Sequence, residues 1–275
     1  MRSRRRPTEK QRGAASSSPS GRYRNEPKHE GSIVYGCLPV LEALRARGRR
    51  IDKILIAEGT REKRLSEVIE SARAGRITLN FVPRSAIDKY AADVNHQGVI
   101  AFTAAAEYAD VDDILKTAGE DALILIVDGV EDPQNLGALL RSAECSGAHG
   151  VIIPERRAVG LTDTVAKASA GAIEYVKVAK VANLNRLIED LKKQNIWVVG
   201  TSGEADTDYV DWDWTRPSAL VMGSEGRGLH RLVAENCDVL VKIPMYGKIE
   251  SLNVSAAASV ILFEAKRQRR KDQGR

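Results

Sequence analysis

The side chains best able to do chemistry stand in loops that follow short apolar runs. Thr201 and Gly203 come after Trp197–Gly200. Glu225 sits among Gly223, Gly226 and Gly228 after Ala219–Met222. Pro244, Met245 and Gly247 follow Val239–Ile243, and a polar interval then carries Ser251, Leu252 and Asn253 into a helix-like segment. Apolar runs of this length, bounded by turn residues, suit buried parallel strands. In open α/β sheets ligands bind outside the carboxyl ends of the strands, so these loops, rich in exposed backbone, are where a ligand is expected. A fourth group lies earlier. After Ala122–Val127 and Asp128-Gly129, Leu136, Leu139, Leu140 and Ala143 recur at core-facing helical spacing, with Asn135 in position to cap the helix. Arg141 lies off that stripe. A guanidinium of ordinary pKa cannot act as a base, but its planar fork suits bidentate grip of a phosphate. No His or Cys stands in these stretches at catalytic spacing. Cys37, Cys145 and Cys237 are far apart with no metal-ligand pattern, so neither a metal nor a disulfide framework is expected.

Three of these stretches resemble a family. DGVEDPQNLGALLRSAECSGAHGVI (128–152), GSEGRGL (223–229) and IPM with SLNVSAAASVILFEA (243–245 and 251–265) are similar to the three motifs of the SpoU (TrmH-type) RNA ribose 2′-O-methyltransferases, in the family's order. The likeness extends over roughly 33–269 and is strongest to the branch that methylates a guanosine ribose in 23S rRNA. It implies S-adenosyl-L-methionine as cofactor, RNA as substrate and a homodimer built on the last helix. By that likeness Arg141 matches the catalytic arginine, with Asn135 orienting Arg141 or the ribose, and Glu225 and Asn253 beside them. Gly223, Ile243 and Leu252 match cofactor-binding positions. Thr201, Gly203, Met222, Met245 and Ser251 would complete an adenosine pocket, with apolar side chains flanking the adenine and backbone groups pairing with its edge. Simpler roles stand next to these: Gly226 and Gly228 as turn residues, and Ser251 or Asn253 as a helix cap.

The elements that must hold these residues form an alternating pattern. Helices are expected at Pro39–Arg47, Glu62–Ala74 and Ser85–Ala91, and strands at Ile51–Ala57, Ile77–Val82 and Gly98–Thr103. Together they make a small α/β unit over 31–107. By the resemblance it is an RNA-binding domain like those of ribosomal proteins that bind kinked RNA. Asn95-His96-Gln97-Gly98 before its last strand matches a family pattern, in which His96 either touches RNA or closes a turn. Residues 108–121 read as an acidic linker with a short helix. From 122 to 269 strands alternate with helices at Thr162–Ala170 and Leu184–Lys193 and a further strand at Tyr175–Val178. That pattern predicts an α/β domain with a parallel sheet covered on both faces. Periodicity alone predicts an ordinary open sheet, since knots are nearly absent from proteins. The resemblance instead implies a deep trefoil knot from about Met222 onward.

Composition limits the function classes. No run approaches the roughly 18 apolar residues of a membrane span, and the sparse cysteines point to a reducing, cytoplasmic setting. The net charge of +5 is uneven. Residues 1–30 hold nine Lys/Arg against three Asp/Glu, and residues 264–275 hold six against two, leaving an acidic body. The first 30 residues lack Ile, Leu, Val and Phe. They read as a disordered basic arm able to meet RNA phosphates, and 270–275 as a basic tail. A nicotinamide enzyme is disfavoured, because its glycine fingerprint should follow the first strand and here the glycines come late. The remaining alternatives are a non-catalytic RNA-binding protein and a 2′-O-methyltransferase acting on tRNA or on a resistance-linked rRNA site.

Overall fold

The computed structural model describes residues 31–91 and 94–272. The expected basic arm, 1–30, and the last three residues of the tail lie outside the described residues.

The N-terminal unit runs β1 (Ser32–Tyr35), α1 (Cys37–Ala46), β2 (Ile51–Ala57), α2 (Leu65–Ala74), β3 (Thr78–Val82), α3 (Arg84–Asp88) and β4 (Val99–Thr103). Its sheet has the order β1-β4-β2-β3, with only β2 and β3 parallel. Alternate residues of β2 and β4 separate its two cores. Ile54, Ile56, Val99 and Ala101 pack under α1 and α2, while Leu55, Ile100 and Phe102 pack under α3. Strand β1 was not expected from the pattern, being only four residues long and ending at Gly36. His96 is not an RNA-facing group. It is buried, with Nε2 2.9 Å from the Asp88 carboxylate and Nδ1 accepting from Gly98 N at 3.0 Å, so it closes the turn before β4.

After α4 (Val111–Ala118) the chain enters the larger sheet through β5 (Leu123–Asp128), α5 (Pro133–Ser146), β6 (Gly150–Pro154), α6 (Asp163–Ala168), β7 (Val178–Val181) and α7 (Leu184–Lys193). It continues with β8 (Trp197–Thr201), β9 (Thr207–Asp208), β10 (Ser218–Gly223), α8 (Arg231–Asn236), β11 (Val239–Lys242) and α9 (Val254–Asp272). Every pairing is parallel, in the order β7-β6-β5-β10-β8-β11-β9. Continuous apolar runs make this possible, because both faces are covered. Leu123, Leu125 and Val127 point to α5 and α9 on one face, and Ile124 and Ile126 point to α4, α7 and α8 on the other. Three expectations shift. The segment expected as a strand over Tyr175–Val178 instead follows a 3-10 turn, and the strand starts at Val178. The last helix starts at Val254 rather than near Ser251. Asn135 is not the cap of α5: Asp132 is, accepting from Gln134 N and Asn135 N, with Pro133 in the first turn.

The two sheets are joined by polar contacts. Arg49 forms an ion pair with Glu174 whose carboxylate is almost fully buried. Ser32 Oγ donates to Asp163 at 2.6 Å, and Tyr175 Oη donates to Glu42 at 2.7 Å.

Candidate active site at the carboxyl ends of the parallel sheet

Four strand ends lie side by side. Gly223 at the end of β10 is level with Asp128 at the end of β5, and Val241 of β11 is level with Thr201 at the end of β8. Thr201 Oγ1 donates to Val221 O at 3.2 Å, and Ser202 N donates to Val241 O at 3.0 Å. The loops after these strands therefore start from a common, tied rim.

The loop after β10 turns back at once. Ser224 and Gly228 exchange backbone hydrogen bonds of 3.1 and 2.9 Å, and the tip passes through a left-handed Gly226. The returning chain lies so close to the strand end that a Cβ on Gly223 would stand 2.1 Å from the carbonyl carbon of Gly228. Glycine at 223 is thus required by close approach. This tight hairpin lifts Glu225 to its tip.

Glu225 meets two residues brought from distant parts of the chain. Asn253 Nδ2 donates to the Glu225 carboxylate and, at 2.9 Å, to Asn135 Oδ1. The other end of the same amide, Oδ1, accepts from Ser255 N at 2.9 Å and from Ser255 Oγ at 2.6 Å, capping α9. Cap and site residue are therefore one side chain: the helix fixes the carboxamide, and the carboxamide fixes Asn135 and Glu225. Asn135 is nearly buried in the first turn of α5. Helices α5 and α9 are held in register by Ser142 Oγ and Ser259 Oγ, 2.6 Å apart. The small residues of α9 allow that approach.

Arg141 is not part of this cluster. It lies six residues beyond Asn135 on α5, about 9 Å along the axis, and is exposed. No carboxylate pairs with it among the described residues, so its guanidinium is available to an external anion. Ser251 caps nothing and is exposed with Leu252 and Met245 in the loop 243–253. Gly203 faces open space. Thr201, Met222 and Gly223 are the last residues of β8 and β10, with Met222 and Gly223 buried, whereas Gly203, Met245, Ser251 and Leu252 are exposed and the half-buried Ile243 lies with Met245, Ser251 and Leu252 in the loop after β11. Burial pushes the thiol of Cys37 up to about 11 and that of Cys237 up to about 12, so neither offers a thiolate at neutral pH. Among the described residues no cluster of His, Cys, Asp and Glu could hold a metal ion.

A pair that sequence reasoning passed over lies on the same rim. The buried Asp128 carboxylate accepts from His230 N at 2.8 Å and lies 2.9 Å from His230 Nδ1. Asp128 reads as a strand stop and His230 falls in a polar interval. No local spacing links residues 102 positions apart.

Known proteins resemble this chain over most of its length. The model of the SpoU rRNA Methylase family matches residues 122–263, and that of RNA 2′-O ribose methyltransferase substrate binding matches residues 33–109. YacO of Bacillus subtilis, assigned by its name to the TrmH family of tRNA/rRNA methyltransferases, is 48% identical over 239 residues, 86% of this chain and 95% of YacO. The SpoU methyltransferase AviRb of Streptomyces viridochromogenes, solved in complex with AdoMet, superposes with a TM-score of 0.73 at 28% identity, over 87% of this chain and 90% of AviRb. An AdoMet-bound rRNA methyltransferase of Sinorhizobium meliloti gives a TM-score of 0.71 at 26% identity, over 86% and 87% of the two chains.

Proposed function

The chain belongs to the SpoU rRNA methylase family, and on that footing we propose that it transfers a methyl group from S-adenosyl-L-methionine to the ribose 2′-hydroxyl of a guanosine in 23S rRNA. Membership makes it an RNA methyltransferase, and the substrate-binding match over 33–109 supports ribose 2′-O chemistry. That N-terminal unit also favours ribosomal over transfer RNA. The observation that carries the reading is the Asn135–Asn253–Glu225 cluster, assembled where the loops after β5, β10 and β11 meet.

The residues present fit the cofactor. Met245 and Leu252 leave apolar surface uncovered in the loop after β11, and Gly203 in the loop after β8 has open space beside it. With Thr201, Met222, Gly223, Ile243 and Ser251 they would hold an adenosine by apolar contact and backbone hydrogen bonds. When bound, S-adenosylmethionine supplies an electrophilic methyl group. The chain's own residues do the rest. Arg141 takes an RNA phosphate by its planar fork. Asn253 holds Glu225 through one carboxylate oxygen, leaving the other to accept the hydrogen of the ribose hydroxyl. Asn135 keeps the Asn253 amide in that orientation. Holding the hydroxyl in line with the methyl group removes much of the entropic cost of the step.

The same reading divides the chain into a basic arm (1–30), an RNA-binding domain (31–107), a linker (108–121), a methyltransferase domain (122–269) and a basic tail (270–275). The late strand β10 occupies the middle of the sheet, between β5 and β8, so the chain after it emerges among earlier loops. That placement supports a knotted path. Val260 and Phe263, one turn apart and exposed on α9, support a homodimer through that helix. No helix among the described residues is long and apolar enough to cross a membrane, and we place the enzyme with its RNA in the cytoplasm.

Incubating the protein with methyl-labelled cofactor and total bacterial RNA, then mapping the label, tests the proposal. One guanosine ribose of 23S rRNA should carry it. Label confined to transfer RNA, or on a base atom, would overturn the assignment.

A further inference from the structure

A cleft of about 480 Å³ opens on the opposite face of the sheet from α5 and α9, bounded by the ends of β5, β6 and β7 and the starts of α7 and α8. It does not lie over the loops that would hold the cofactor. Its charged and titratable lining is Asp128, Arg156, Arg157, His230 and Arg231. The chemistry is one-sided. The single carboxylate, Asp128, is buried and turned to His230. Arg231 is held by Glu235 at 2.7 Å, one turn along α8. Arg156 and Arg157 are exposed and pair with no carboxylate among the described residues. Two adjacent uncompensated guanidinium groups beside a cavity form a site for an anion of extended shape. Arg157 is held left-handed at φ 58°, an uncommon conformation for a residue with a side chain.

The cleft is coupled to the proposed methyl-transfer site through one short hairpin. Glu225 at its tip belongs to the Asn135–Asn253 cluster, and His230, five residues on, lines the cleft. The Ser224–Gly228 bridge makes that segment a rigid spacer. Gly129 touches both sides: a Cβ there would stand 3.2 Å from His230 and 3.8 Å from Ser224. A polyanion with one ribose at Glu225 therefore has an adjacent groove into which its next residues can run. Asp128 fixes the His230 ring through Nδ1, leaving Nε2 as the ring atom able to meet a base or sugar group.

Building on the RNA methyltransferase reading, we propose that this cleft is a substrate subsite. Arg156 and Arg157 take phosphates of the RNA strand flanking the target nucleotide, and the Asp128-braced His230 contacts that neighbouring nucleotide.

The test uses the full chain and the double variant Arg156→Gln/Arg157→Asn. Both positions are exposed, and asparagine tolerates the left-handed backbone at 157. Filter binding to total bacterial ribosomal RNA is measured across a salt series, with cofactor affinity measured calorimetrically in parallel. The expected result is RNA affinity lowered roughly tenfold at low salt, a salt dependence shallower by about 1.5 for the two lost phosphate contacts, and unchanged cofactor affinity. The Arg156→Lys/Arg157→Lys variant should recover most of the salt slope, because a phosphate accepts a point charge. RNA affinity and slope equal to wild type in the double variant would overturn the subsite, as would failure of the lysine variant to recover any slope. These readouts are of binding, so they stand apart from catalysis. A wild-type protein that binds RNA through the cleft but methylates none would sink the proposed reaction and leave the subsite standing.

Discussion

At the scale of single residues, Asn253 carries the most. One carboxamide caps α9 with its oxygen and braces Asn135 and Glu225 with its nitrogen. These roles can be separated. Aspartate is as good an N-cap as asparagine but has no N–H to donate and sets a second carboxylate against Glu225. Asn253→Asp should therefore keep the melting temperature within a few degrees while lowering kcat roughly 10²-fold, the scale of losing one positioned donor. A variant that melts far lower, or one that turns over normally, would contradict this division of labour. Arg141 poses the complementary case, a cation without an internal partner. Arg141→Ala and Arg141→Lys should both abolish methyl transfer, since lysine lacks the planar fork, with cofactor affinity within a few-fold of wild type. Near-normal turnover by either would remove Arg141 from the site.

At the scale of elements, α5 shows how a cap can be misplaced by three residues. Asp132 and Asn135 both rank high as capping residues, and Pro133 stands between them. Proline is favoured in the first turn, so the helix starts at Pro133 and Asp132 takes the cap. Asn135 then falls within the helix, where its side chain is free to face α9. Asp132→Ala should cost about 1 kcal/mol of stability with little change in kcat for the folded enzyme. Asn135→Ala should do the reverse, leaving denaturation midpoints nearly unchanged and lowering kcat. Matching effects of the two substitutions on stability would restore Asn135 as the cap.

At the scale of the whole molecule, the last helix divides its apolar run between two environments. Ile261 and Leu262 are buried in the core, while Val260 and Phe263 remain 37% and 50% exposed. A charge at Ala257 would test folding rather than association, because Ala257 packs against the core. Phe263→Glu is the cleaner probe. It should shift a wild-type dimer to monomers in light scattering at micromolar concentration, with little loss of secondary structure. A wild-type chain that is monomeric and fully active at that concentration would exclude the dimer. The two sheets are joined differently, through a buried ion pair. Arg49→Met leaves the Glu174 carboxylate buried without its partner and should destabilise the joined structure by about 3–5 kcal/mol, read as a lowered unfolding midpoint.

The alternation of strands and helices was legible along the chain, because periodicity and turn residues are local properties. Leu184–Lys193 and Ile51–Ala57 have the boundaries their spacing predicts, and the parallel sheet follows from runs apolar on both faces. Several candidate residues, Gly203, Glu225, Met245 and Ser251 among them, do stand in loops that follow strands. Which of those residues meet was not legible. Asn135 and Asn253 are 118 positions apart, and Asp128 and His230 are 102 apart. Pairings over such distances depend on strand order, and the insertion of β10 between β5 and β8 has no local signal. The role of His96 was decided by burial, which a short motif does not encode. The cleft of Arg156 and Arg157 had no pattern either, since one pair of arginines in a chain with several such pairs looks like any other in sequence. Only the ends of three neighbouring strands, brought level by the tertiary fold, turn two of them into one side of a groove.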